Sequence, residues 1–116
     1  MPLSIRQRNV SEVVVLDLNG RLWILDLPLR ELMNGLLGQG KRHFVLNLAG
    51  VEYIDSSGLG QLISIWTSIR NKTGHMTILN PTQRVQRLFE ITRLTTIFEI
   101  LDNEADAIQQ ATKASA

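Results

Sequence analysis

The densest run of chemistry-bearing residues in this chain is Asp55-Ser56-Ser57, followed at once by Gly58-Leu59-Gly60. Asp55, Ser56 and Ser57 are all good helix-capping types, so the plainest reading is a helix start in which one serine caps and the glycines permit tight packing. A second reading is anion binding at the helix N-terminus, where free N–H groups and the positive end of the dipole gather. Asp55 opposes it with a negative charge, and neither a phosphate-loop lysine motif nor a dinucleotide fingerprint is present. A third is a serine nucleophile, which needs a general base. No G-x-S-x-G elbow occurs, and His43 and His75 fall at predicted strand starts, away from the helix N-termini. A fourth is a phosphorylation switch. A phosphate adds a charge of roughly −1.5 to −2 and three acceptor oxygens, which the dipole tolerates and a docked partner would not. Local physics permits this fourth reading without selecting it.

The elements that position this run are legible from periodicity. Ser4–Arg8 and Val13–Leu18 are predicted strands, with Asn9 to Glu12 as the turn and Asn19-Gly20 as the end of the second. Leu22-Trp23-Ile24 is a short extended piece. Asp26 caps a helix with Pro28 in its first turn, a stripe of Leu29, Leu32, Met33 and Leu36, and a stop at Gly38-Gln39-Gly40. Phe44–Leu48 is a strand. The next helix starts near Ser57 with Leu59, Leu62, Ile63, Trp66 and Ile69 on one face and Ile65 at its edge, and Gly74 ends it. His75–Leu79 is a strand. Asn80 then caps a helix with Pro81 at its first position and Val85, Leu88 and Phe89 buried. Ile97–Ile100 is a last strand, and Asp102 or Asn103 caps a short helix through Ile108. The order ββαβαβαβα predicts an α/β fold: a mixed, partly parallel sheet of four to five strands with about four helices packed against it. In such sheets functional residues lie beyond the carboxyl ends of strands, which is where Asp55 to Gly60 fall.

Composition narrows the classes further. With 116 residues, 44% hydrophobic and 20% charged, the chain is expected to be a single domain over 1–116, with 112–116 as a frayed tail. A net charge of +1 gives no overall field toward nucleic acid or an anionic membrane. The lack of cysteine removes disulfides, thiolate catalysis and Cys-ligated zinc, and two histidines argue against a His-rich metal site. With no secretory h-region and no apolar run of spanning length, the expected location is the cytoplasm.

The segment Val51-Glu52-Tyr53-Ile54-Asp55-Ser56-Ser57-Gly58-Leu59-Gly60 resembles the signature of STAS domains, specifically the bacterial anti-sigma factor antagonists. Phe44–Leu48 resembles the family's central strand, Arg87-Leu88-Phe89-Glu90-Ile91-Thr92 its "RLF" helix end, and Ile97–Ile100 its final strand. The resemblance implies a regulatory binding protein, not an enzyme, with no cofactor of its own. In the family, the unphosphorylated antagonist binds an anti-sigma factor, a histidine-kinase-like serine kinase, and so frees the sigma factor. The kinase phosphorylates the serine after the aspartate with ATP, and a PP2C-type phosphatase reverses this. Carried onto this chain, the phosphoacceptor is Ser56, with Ser57 as second candidate, and Asp55, Gly58, Leu59 and Gly60 shape the docking site. Direct contact with nucleic acid or membrane is not implied. The alternative is a non-switching STAS scaffold subunit of a sensor complex or lipid transporter.

Two departures stand out. Family members often carry an acidic Gly-Glu-x-Asp stretch after the second strand, where this chain has Gly20-Arg21-Leu22-Trp23. Trp23 is either an interface anchor or packed on the sheet. The family also often has glycine after the Phe-helix, where Arg93 stands here. A slightly different turn is expected, because Arg would be strained at positive φ.

Overall fold

The computed structural model describes residues 3–22 and 27–115, with the backbone alone at 27 and 113–115. The extended piece expected at Trp23 and Ile24, the cap expected at Asp26 and both readings of Trp23 lie outside the described residues. The elements are β1 (Ser4–Val10), β2 (Val13–Leu22), α1 (Leu27–Gly38), β3 (His43–Ile54), α2 (Ser56–Asn71), β4 (His75–Leu79), α3 (Gln83–Ile91), a 3-10 turn at Leu94–Thr96, β5 (Glu99–Leu101) and α4 (Glu104–Ser115).

The sheet is five-stranded and mixed, in the order β1-β2-β3-β4-β5. β1 is antiparallel to β2, and all other neighbours are parallel. Because strand order follows chain order, right-handed crossovers bring α1, α2 and α3 to one face. There Leu16, Leu46 and Ile78 of the strands meet Met33, Leu62, Ile69 and Phe89 of the helices. The other face is covered by α4, whose Ala107 and Ala111 pack with Val13, Val15, Val45 and Leu79. This explains the nearly continuous apolar run Val13-Val14-Val15-Leu16: alternate residues are buried against different layers.

An ionic clasp fixes the start of α4. Arg8 donates to both Asp17 oxygens at 2.7 and 2.9 Å and to both Glu104 oxygens at 3.0 and 2.6 Å. Asn47 adds a third donor to Asp17 at 2.8 Å. These bonds hold the Asp17 and Glu104 carboxyls below their ordinary range and raise the Arg8 guanidinium above its own.

Several element boundaries differ from the sequence expectation. β2 does not stop at Asn19-Gly20. Gly20 takes φ +114° between two register shifts, and the strand continues as a bulged one to Leu22. β3 likewise runs past Leu48 to Ile54, paired with that extension through Tyr53 and Ile54. Thr82, not Asn80, caps α3, with its hydroxyl accepting from the Val85 N–H at 3.3 Å, so Pro81 precedes the cap. Asn80 instead sits at φ +52° and donates its N–H to Leu101 O. The last strand starts at Glu99, because Phe98 turns inward to meet Phe89 edge-on at 5.6 Å. Asn103 caps α4 through the Asp106 N–H, and that helix continues past Ile108 to Ser115. On α2, Ile65 is buried and Ile63 is 37% exposed, the reverse of the expected stripe. The helix turns its Leu62, Ile65 and Ile69 line to the sheet. Arg93 does adopt the left-handed region, at φ +61°, so the turn keeps the conformation that glycine favours.

Candidate functional site

The site is the junction between β3 and α2, beside the end of β2. The bulged extension of β2 places the Leu22 carbonyl there, and the Asp55 N–H approaches it at 3.4 Å. A Cβ on Gly58 would lie 2.2 Å from that same carbonyl oxygen, so only glycine lets the first turn of α2 sit this close to β2. Leu59 plugs the turn into the core, and Ile54 anchors it from the strand side. The run is thus held on a rigid corner at the carboxyl ends of two parallel strands. His43 and His75 pair with each other at the opposite ends of β3 and β4.

Asp55, rather than a serine, is the cap. Its backbone is extended, and one carboxylate oxygen accepts from the Gly58 N–H at 2.7 Å and from the Ser57 hydroxyl at 2.6 Å. These donors hold its carboxyl below the usual range, the Ser57 hydroxyl contributing most. The two serines therefore stand in different states. The Ser57 hydroxyl is engaged and half-buried. Ser56, the first residue of α2, is exposed and makes no side-chain hydrogen bond among the described residues. Gly58 and Leu59 are buried and shape the site from within, whereas Gly60 is exposed with open space where a Cβ would be. Of the expected site residues, Ser56 and Gly60 thus face the surface together, one turn apart.

Among the described residues, no general base stands beside Ser56. The adjoining Asp55 carboxylate is already occupied by two donors, and both histidines are at the far end of the sheet. Among the described residues no cluster of His, Cys, Asp or Glu has metal-site geometry. No helix among them is long and apolar enough to cross a membrane. Motif reading missed the cationic surroundings. Arg84 of α3 lies over the Tyr53 ring at 5.5 Å, and Arg21 of β2 lines the same depression with Glu52. The spacing of Arg84, Arg87 and Ile91 on one face of a helix was the available signal.

Comparison with known proteins agrees with this geometry. The STAS domain family model matches residues 5–107. An anti-sigma F factor antagonist of Paenibacillus polymyxa is 29% identical over 112 residues, covering 95% of this chain and 96% of that one. A crystal structure from Thermotoga maritima, named as a candidate anti-sigma factor antagonist, superposes with a TM-score of 0.85 at 29% identity over 93% of this chain and 94% of that one. The Bacillus cell fate determinant SpoIIAA in its phosphorylated form shares the fold, with a TM-score of 0.74 at 23% identity over 92% and 98% of the two chains. The chain belongs to the STAS domain family, and its relatives there include anti-sigma factor antagonists.

Proposed function

We propose that this protein is an anti-sigma factor antagonist switched by phosphorylation of Ser56. In the unmodified state it binds an anti-sigma factor serine kinase and so releases the sigma factor. The kinase transfers the ATP γ-phosphoryl group to the Ser56 Oγ, the hydroxyl proton is lost and ADP leaves. A PP2C-type phosphatase hydrolyses the ester and restores the binding form. The protein acts as substrate and ligand, with the nucleotide brought by its partner, and it works in the cytoplasm.

The observation that carries this reading is the contrast between the two hydroxyls: Ser56 exposed and without a side-chain hydrogen bond among the described residues, Ser57 bound to the cap. The neighbouring fold supports it, since SpoIIAA has been solved in a phosphorylated form. Energetics explain how a phosphate there acts on binding more than on folding. The dianion sits in solvent at the positive end of α2, which favours it, although the Asp55 carboxylate opposes it. A partner surface matched to a neutral hydroxyl meets both like-charge repulsion and an uncompensated desolvation cost.

The test incubates the protein with each histidine-kinase-like anti-sigma factor of the same genome and ATP, and locates the phosphate by mass spectrometry. Ser56→Ala is expected to abolish modification while keeping partner binding. Ser57→Ala leaves modification in place, and Ser56→Asp weakens binding. Phosphate on Ser57 in the Ser56→Ala variant, at the full wild-type level, would shift the assignment by one residue. Unchanged binding of Ser56→Asp to every kinase would replace the switch with the scaffold reading.

A further inference from the structure

The end of β3 and the face of α3 enclose a groove of about 210 Å³ lined by Tyr53, Ile54, Val85, Leu88 and Ile91, with Arg84 and Arg87 along it. Its walls include two of the large apolar side chains this fold leaves in water: Ile91 is 69% exposed and Tyr53 40%. Leaving an isoleucine that far out beside an apolar slot forgoes burial that a partner can supply. Around the slot three guanidiniums outnumber two carboxylates. Arg21, Arg84 and Arg87 form no ion pair among the described residues. The carboxylates nearby are Glu52, beside Arg21 and Arg84, and Glu90, which accepts from Gln86 at 3.5 Å.

We propose that this groove docks an acidic segment of a protein partner, with an aliphatic or aromatic anchor residue seated between Tyr53, Leu88 and Ile91. Guanidiniums that outnumber the nearby carboxylates and pair with none among the described residues, arranged around an apolar slot, are complementary to such a segment: the anchor supplies buried area and the acidic flanks set register. A second copy of the chain fits poorly, because a two-fold contact would bring the Arg84 and Arg87 sets together. Nucleic acid fits poorly as well, since the floor is aliphatic and Tyr53 already lies under Arg84. None of these features depends on modification of Ser56, so the groove stands or falls separately from the switch.

The test uses the full chain and a fluorescein-labelled acidic peptide, Glu-Asp-Glu-Leu-Phe-Asp-Glu-Asp, read by anisotropy and by amide chemical shifts. Binding is expected to move the amides of Tyr53, Leu88 and Ile91 most and to weaken with added salt. Ile91→Asp and the Arg84→Glu/Arg87→Glu pair should each weaken it by about tenfold or more. Ile97→Asp, at an exposed residue off the groove, should leave it unchanged. A peptide with Ser-Ser in place of Leu-Phe should not bind. The proposal is overturned if the acidic peptide leaves those amides unmoved at about millimolar concentration. It is equally overturned if a lysine analogue binds as tightly, or if sedimentation shows a dimer that Ile91→Asp dissociates.

Discussion

Gly58→Ala and Gly60→Ala, two residues apart on one helix, are expected to change stability in opposite directions. At Gly58 the added Cβ would stand 2.2 Å from the Leu22 carbonyl oxygen, 2.9 Å from its carbon and 3.0 Å from Ile54 Cγ2. The first two atoms are backbone, in a fully buried residue paired with Ile54 across β2 and β3, so they cannot rotate away. Relief requires moving the helix start or the strand end by about 1 Å, and because the clash is with backbone the overpacking cost lies in the upper part of the usual range, about 2–3 kcal/mol. The helix-propensity gain of alanine offsets at most ~1 kcal/mol of that. A net loss of about 1–2 kcal/mol follows, or roughly 4–8 °C in Tm for a chain of this size. At Gly60 nothing lies within 4 Å of the new Cβ, so the propensity gain is uncompensated. Stability should rise by about 0.5–1 kcal/mol, or roughly 2–4 °C. Thermal and urea unfolding followed by circular dichroism read both variants. If Gly58→Ala melts at or above Gly60→Ala, the contact between α2 and β2 is not rigid, and the account of what positions Ser56 fails with it. Gly60→Ala also probes the proposed docking surface, since a more stable protein that binds the proposed anti-sigma factor partner less well would place that partner against the bare helix turn.

Arg8→Met should cost about 1–2 kcal/mol, discounted for partial exposure, because it strands Asp17 and frees the start of α4. Asp17 and Glu104 have folded pKa values below their ordinary ones, so the clasp is fully present above about pH 5 and is lost as pH falls through the depressed values. Urea melts from pH 6 downward should therefore fall more steeply in wild type than in Arg8→Met, and parallel slopes would refute the clasp. His43 is held below its ordinary 6.5, by burial first and His75 second. Its contribution is thus complete above that pH and declines below it, as the unfolded chain takes up the proton first. His43→Gln should flatten this decline, and an NMR titration of the ring should show the depressed midpoint directly. Arg93→Gly should stabilise the protein by about 0.5–1 kcal/mol, the relief of a left-handed arginine less the entropy of glycine. A lower Tm would mean that the Arg93 side chain makes a compensating contact.

The fold was legible where one residue type has one job. The β-branched run of β2, the glycines after α1 and the alternation of strand and helix led to the order ββαβαβαβα, which the structure has with a 3-10 turn before β5, but not to the placing of α4 alone on the second face. What could not be read was how far strands run and which polar residue takes a cap. Asn19-Gly20 carries a turn composition, yet pairing with β3 across a bulge outweighs that local preference. Asn80 and Thr82 are both sound caps on propensity. Thr82 takes the role because Asn80 donates its N–H to Leu101 at the end of β5, a contact nearly the full length of the αβ unit away in sequence. The Ile63 and Ile65 exchange has the same origin. Both fit an apolar stripe, and only the sheet decides which side of α2 turns inward. At the site, the sequence pointed to the segment and the resemblance to the serine, but nothing in one dimension could show that Leu22, over thirty residues earlier, explains Gly58.

The distinction between the serines arises from the cap and not from their own chemistry. A carboxylate at the cap position reaches the second and third helical residues, so Ser57 and Gly58 are the groups within its range. The first helical residue points past it into solvent, and that residue is Ser56. Aspartate at position 55 therefore does two things at once: it fixes the helix start, and by engaging the Ser57 hydroxyl it leaves the exposed Ser56 hydroxyl as the one open to the proposed modification. Its charge also sets the electrostatic character of the proposed switch. Phosphorylation would add a dianion beside an anion already held below the ordinary carboxylate range, so the corner changes from one negative charge to about three. The helix dipole accommodates this in solvent, where salt screens it within about 10 Å. Under a docked partner that screening is displaced, and the same charges act on the interface at full strength.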